Sequence, residues 1–189
     1  MNKKVIIVEG CDRVGKDSLI NELKKKFNSS VVIHASTPPK CDSLFNFYMD
    51  GFIHNTLDAF YNKKCDVIIH NRSMYGEYVY GPKYRCESST DIESMIHKLE
   101  IGQLKTFLLS NELYFILLTS DNADLLVNND DGNSISNKRN DIEYELNAFN
   151  EIFDKSFIKN KLRVYVNNGD KFRDKKEIFN EVSKFIFNK

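Results

Sequence analysis

The sequence predicts an α/β fold, a five-stranded parallel sheet with helices on both faces. Three observations carry that expectation. Short β-branched apolar runs recur along the chain, segments of helical spacing separate them, and the first run opens into a glycine-containing loop that ends in lysine. The first run, Lys4 to Glu9 (K-V-I-I-V-E), reads as a strand buried on both faces. Gly10 to Gly15 is a loop, and Asp17 to Phe27 carries Leu19, Ile20, Leu23 and Phe27 at helical spacing. Val31 to Ala35 is the second strand, stopped by Pro38 and Pro39. Leu44 to Asn62 has mixed helical spacing, and Asp66 to His70 is the third strand. A Tyr-rich stretch with Gly76 and Gly81 reads as a loop covering a substrate. Asp91 to Ser110 is helical, Leu113 to Thr119 is the fourth strand, and Ser120 to Asn140 is a polar stretch interrupted by the apolar patch Ala123 to Val127. Ile142 to Phe157 returns to helical spacing, Leu162 to Val166 is the fifth strand, and Lys175 to Phe187 closes the chain as a helix.

The length of 189 residues suits one domain, 1–189, with a full-sized core. Lys and Arg total 27 and Asp and Glu total 27, so the net charge is zero. A protein that lives on polymeric nucleic acid carries a basic excess, so the expected partner is a small molecule. The apolar run Val5 to Val8 is too short for a signal peptide, and no stretch reaches the roughly 20 apolar residues that span a membrane. Cys11, Cys41, Cys65 and Cys86 form no C-x-x-C pair and suit a reducing cytosol, so a cytoplasmic location is expected.

Gly10-Cys11-Asp12-Arg13-Val14-Gly15-Lys16 matches G-x-x-x-x-G-K between a strand and a helix. Glycines let the backbone curl so that its N–H groups face phosphate oxygens, and the following helix adds its dipole. Lys16 supplies a charge for the β- and γ-phosphates. The pattern predicts ATP bound along Gly10, Asp12, Val14, Gly15, Lys16, Asp17 and Ser18. After the lysine the pattern expects a Ser or Thr hydroxyl for magnesium, and this chain has Asp17. Its carboxylate either ligates Mg2+, directly or through water, or serves only as an acid in the first helical turn.

Val8-Glu9-Gly10-Cys11-Asp12-Arg13-Val14-Gly15-Lys16 resembles the E-G-x-D-[RG]-x-G-K signature of the thymidylate kinases, in the branch that keeps its catalytic arginine inside the loop. Asn71-Arg72-Ser73 is similar to that family's D-R-[YFH] and to the E-R-S of the related deoxynucleoside kinases. Gly76 to Arg85 looks like the segment that follows in small phage-type members. The resemblance implies a P-loop kinase fold with a lid, ATP and Mg2+ as donor and cofactor, and a homodimer. It implies that Arg13 bridges the transferred phosphoryl group, that Asp12 contacts the acceptor's sugar, and that Arg72 holds the acceptor phosphate or the phosphoryl in flight. Guanidinium groups independently suit a transition state that spreads charge over equatorial oxygens. Asn71 stands where the family has an acid that holds magnesium through water, and Asp17 is a candidate to carry the displaced negative charge.

After the second strand, His34 to Lys40 contains neither Arg nor Glu. A nucleoside hydroxyl needs a base, whereas a monophosphate needs cations, and Lys40, Arg72 and Arg85 are candidates to supply them. His34 is the alternative base. Among the aromatics, Tyr48 and Tyr80 are candidate contacts to the acceptor. The polar segment 128–141 reads as a lid over ATP, with Arg139 as an ATP-binding candidate. The expected reaction is phosphoryl transfer to a deoxynucleoside monophosphate, dTMP first. A deoxynucleoside kinase and a non-catalytic nucleotide-binding module are the alternatives. A GTP-dependent switch is disfavoured, because Asn137-Lys138-Arg139-Asn140 lacks the final Asp of N-K-x-D.

Overall fold

The computed structural model describes residues 3–35, 42–62, 65–85, 89–102, 104–105, 112–130, 132, 134 and 136–187; for 42–48, 62, 89 and 90 it describes the backbone alone. Its elements in order are β1 (Lys4–Glu9), α1 (Lys16–Lys24), β2 (Ser30–His34), α2 (Asp42–Asn62), β3 (Val67–Asn71), α3 (Tyr75–Tyr84), α4 (Ser89–Gly102) and β4 (Leu113–Thr119). Then come α5 (Ala123–Val127), α6 (Arg139–Lys155), β5 (Asn160–Tyr165), the short strands β6 (Asn167–Asn168) and β7 (Lys171–Phe172), and α7 (Lys175–Phe187).

The five long strands form one parallel sheet in the order β2-β3-β1-β4-β5. β1 lies at its centre, and Val5 to Val8 are fully buried. That position explains the uninterrupted β-branched run, because a central parallel strand is covered on both faces. Side chains alternate along β4. Tyr114 meets Phe185 of α7, while its neighbour Phe115 stacks on Tyr75 of α3 and packs against Phe153 of α6. His70 of β3 shares the Phe115 face and packs against Phe52 and Thr56 of α2. Helices α2, α3 and α6 therefore cover one face, and α1 and α7, packed together, cover the other. Among the described residues no helix is long and apolar enough to cross a membrane.

Two local readings change. The Tyr-rich stretch is not a loop but helix α3, with Tyr75, Tyr78, Val79 and Tyr80 buried. Its glycines do not take the positive φ of turn residues, a conformation found among the glycines at Gly10, Gly15, Gly132 and Gly169. Burial of successive aromatic residues between α4 and α6 overrides the weak helix propensity of glycine and tyrosine. Pro82 sits in the last turn, where the helix is already ending. The apolar patch 123–127 inside the polar stretch forms α5, whose Asn122 cap accepts from the Leu125 amide at 3.0 Å.

Two buried acids brace the core. Glu100 of α4 is fully buried and accepts from the Tyr75 and Ser156 hydroxyls, each at 2.6 Å. It thereby ties α3, α4 and the end of α6 together, and its polar atoms are satisfied. Glu77 of α3 is likewise buried and pairs with Arg85 at the end of its own helix.

Candidate active site

The carboxyl ends of β1, β2 and β3 deliver their next residues to one cleft, the place where open α/β sheets bind ligands. The cleft measures about 620 Å3 and is lined by Asp12, Arg13, Gly15, Lys16, Asp17, Ser18, His34, Ala35, Asn71, Arg72 and Ser134. Its floor is the loop between β1 and α1. Gly10 has φ 141°, and a Cβ there would lie 2.2 Å from the Leu118 carbonyl oxygen of β4. Only glycine fits that approach. Gly15 has φ 86°, and Arg13 itself takes φ 70°. These conformations curl the chain before α1 begins.

Lys16 is 7% exposed and donates to the carbonyls of Gly10 and Cys11 at 2.7 and 2.6 Å. Burial and then the neighbouring Arg72 push its pKa down from the ordinary lysine value. Arg72 follows β3 in a left-handed conformation, φ 66°, held by its amide donating to the Val8 carbonyl at 3.1 Å. Its guanidinium pairs with Asp12 across the cleft. Asn71, the last residue of β3, donates through Nδ2 to Asp17 Oδ1 at 2.6 Å, and Nδ2 lies 3.2 Å from His34 Nδ1. Asp17, Ser18 and Asn71 are thus hard-oxygen side chains on one wall, the donor type magnesium takes. Among the described residues no group of three or more His, Cys, Asp or Glu forms a metal cage.

Beneath the loop lies a residue the sequence analysis left without a role. Glu9 ends β1, is fully buried, and accepts from Ser73 Oγ at 2.6 Å through Oε1, while Oε2 has no hydrogen-bond partner among the described residues. Burial pushes its carboxyl up to about 7, an effect partly offset by Ser73, Lys16 and Arg72. A charged residue at the end of an otherwise apolar strand was the available signal.

The remaining expected site residues are distributed as follows. Val14 is buried under the loop. Tyr80 is 6% exposed, its hydroxyl has no partner among the described residues, and burial raises its pKa, with Glu145 and Asp12 adding to the rise and Arg72 opposing it. Arg85 is not on the cleft wall, because the buried Glu77 holds it, and a buried acid without a cation is costly. Arg139 also stands apart from the phosphate cleft. It begins α6, is 60% exposed, and pairs with Asp124 and Glu143. Lys40 lies outside the described residues, and Tyr48 lies in α2 where only the backbone is described. A second, more apolar hollow of about 770 Å3 adjoins the loop, between α1, α7 and the β6–β7 hairpin, with Val14, Leu19, Val166, Phe172 and Phe179 among its lining.

The strand order, together with G-x-x-x-x-G-K between β1 and α1, defines a P-loop kinase fold. Solved structures share it along nearly the whole chain. The YorR protein from Bacillus subtilis in complex with phosphorylated GDP is 17% identical, with TM-score 0.65 over 97% of this chain and 95% of that one. Thymidylate kinase from Candida albicans is 14% identical, with TM-score 0.65 over 98% and 92%. Deoxyadenosine kinase from M. mycoides, with products dCMP and dCDP bound, is 14% identical, with TM-score 0.61 over 98% and 100%. No protein-family model matches the chain, and no curated protein matches its sequence.

Proposed function

We propose that the chain is a kinase that uses ATP and magnesium to phosphorylate a deoxynucleoside monophosphate, with dTMP the first candidate. The observation that carries this reading is the state of the acids in the cleft. Among the described residues the carboxylates on its wall are those of Asp12 and Asp17, and both are engaged, Asp12 by Arg72 and Asp17 by Asn71. A nucleoside hydroxyl needs a base to accept its proton, and neither acid is free for that task. A monophosphate already presents an anionic oxygen and needs cations, which Lys16 and Arg72 supply. The likeness to a thymidylate kinase supports a monophosphate acceptor.

In this reading the curled loop and the N-terminus of α1 receive the donor's phosphates. Lys16 exchanges the Gly10 and Cys11 carbonyls for β- and γ-oxygens. Arg72 orients the acceptor phosphate from the opposite side, where planar N–H groups match phosphoryl oxygens. Asp17 and Asn71, with Ser18 beside them, would hold magnesium, which would supply positive charge to offset that of the phosphates. The lid at 128–141 excludes water, so that the phosphoryl group reaches the acceptor rather than hydrolysing.

A second reading, a deoxynucleoside kinase, is favoured by one observation. His34 stands on the cleft wall, and its Nδ1, which takes the Asn71 Nδ2–H at 3.2 Å, becomes available as a base once that contact is released. Coupled phosphoryl-transfer assays with ATP and Mg2+, comparing dTMP with thymidine and then the other deoxynucleotides, separate the readings. Transfer to monophosphates but not nucleosides is expected. Transfer to nucleosides alone overturns the monophosphate reading and directs mutation to His34. No transfer to any acceptor leaves a nucleotide-binding module.

A further inference from the structure

The family resemblance assigns the guanidinium of Arg13 to the transferred phosphoryl group, yet here it is turned into the lid. Nε donates to Ser134 Oγ at 3.0 Å, Nη1 to the Leu126 carbonyl at 2.9 Å, and Nη2 to the Ser136 carbonyl and to Asp130 Oδ1, the latter at 2.9 Å. A guanidinium has five N–H groups, and among the described residues these four acceptors leave one, on Nη1. The side chain is 5% exposed, and among the described residues its ion pair is with Asp130. The other three acceptors are neutral. Burying a guanidinium without a counter-charge is strongly unfavourable, so Asp130 is the partner that makes this placement stable. The backbone agrees, since Arg13 takes the left-handed φ of 70° that L-residues rarely adopt. Arg13 also lines both the phosphate cleft and the apolar hollow beside it, so it stands between the two.

We propose that Asp130 is a positioning residue that acts through Arg13: the lid carboxylate holds the loop arginine across the mouth of the cleft, with a single N–H left for a phosphoryl oxygen. The inference rests on the kinase reading for its catalytic consequence, but the tie between lid and loop is independent of it. Lid closure and arginine placement become one event. A chain with the lid released loses the arginine's orientation along with the shield against water.

The test uses the whole chain and the variants Arg13→Ala, Asp130→Ala, Asp130→Glu and the double alanine. Amide exchange over residues 128–138, measured without nucleotide, reads the tie directly; kcat and KM read its consequence. Both single alanine variants should exchange faster across that segment. Asp130→Ala should lower kcat on the order of tenfold, with the acceptor KM within about twofold, since small misplacements of a catalytic group cost up to about a hundredfold. The double variant should be no slower than Arg13→Ala, and Asp130→Glu should recover part of the loss. An ion pair that merely stabilises the fold would lower the melting temperature and leave kcat intact, which overturns the proposal. So does unchanged exchange in Asp130→Ala, or kcat losses that multiply in the double variant. If the wild-type chain transfers no phosphoryl group, the kinase reading fails, and the exchange measurement alone decides whether Asp130 holds Arg13.

Discussion

Replacing Glu9 by Gln removes a buried titration from the floor of the phosphate loop, and its effect on stability can be worked from the structure. The carboxyl rises from an ordinary 4.5 to about 7 because it is fully buried. A tenfold change in proton affinity between the folded and unfolded chains is worth about 1.4 kcal/mol, so this rise amounts to about 3 kcal/mol. Below pH 4.5 both folded and unfolded chains carry the proton, and Glu9 adds no pH dependence. Between pH 4.5 and about 7 the unfolded chain releases the proton first, so stability falls as the pH rises. Above about 7 the folded carboxyl ionises as well, and the cost stays at its full value. Gln keeps an acceptor for the Ser73 hydroxyl and is neutral throughout, although its amide nitrogen occupies the place of the unpartnered Oε2. That unsatisfied donor costs about 1 kcal/mol at every pH. Urea unfolding of both proteins at about pH 5, 6, 7 and 8 provides the comparison, and other titrating groups cancel in the difference. The variant should gain about 2–3 kcal/mol on the wild type between about pH 5 and 8, becoming the more stable protein at the upper end. Two stability curves that run parallel across this range would refute the reasoning.

Other substitutions probe the loop, the metal wall and the helix packing. Gly10→Ala places a Cβ 2.2 Å from the Leu118 carbonyl at φ 141°, so a loss of about 3 kcal/mol or more is expected; a melting temperature equal to wild type would contradict it. Asp17→Ser should weaken magnesium binding about tenfold in calorimetric titrations with ADP present, and adding Asn71→Asp should restore part of it. Unchanged affinities in both proteins would remove Asp17 and Asn71 from the metal's surroundings. Tyr75→Phe deletes the 2.6 Å hydrogen bond to Glu100 far from the cleft, and should cost about 1–2 kcal/mol in urea unfolding while leaving nucleotide affinity intact.

Features that neighbouring residues settle among themselves were legible in the sequence. The run Lys4 to Glu9, with its β-branched residues, is β1 to the residue, and the spacing of Ile178, Val182 and Ile186 sets α7 at Lys175–Phe187. The loop Gly10 to Lys16 is legible for the same reason, since glycine, lysine and the following helix act within one turn of chain. The Tyr-rich stretch was misread because glycine favours turns and tyrosine is a weak helix former, and only packing between α4 and α6 makes the segment a helix. Where the charged side chains aim was settled by the folded arrangement. Arg85 was expected in the cleft and is claimed by Glu77, eight positions back, once α3 brings the two together. Arg13, expected at the phosphoryl group, lines the phosphate cleft with its guanidinium on Asp130 and on Ser134, the latter 121 positions away. Long cationic side chains have many rotamers and no sequence periodicity, so their direction is set by whichever acid the fold brings within reach and shields from water.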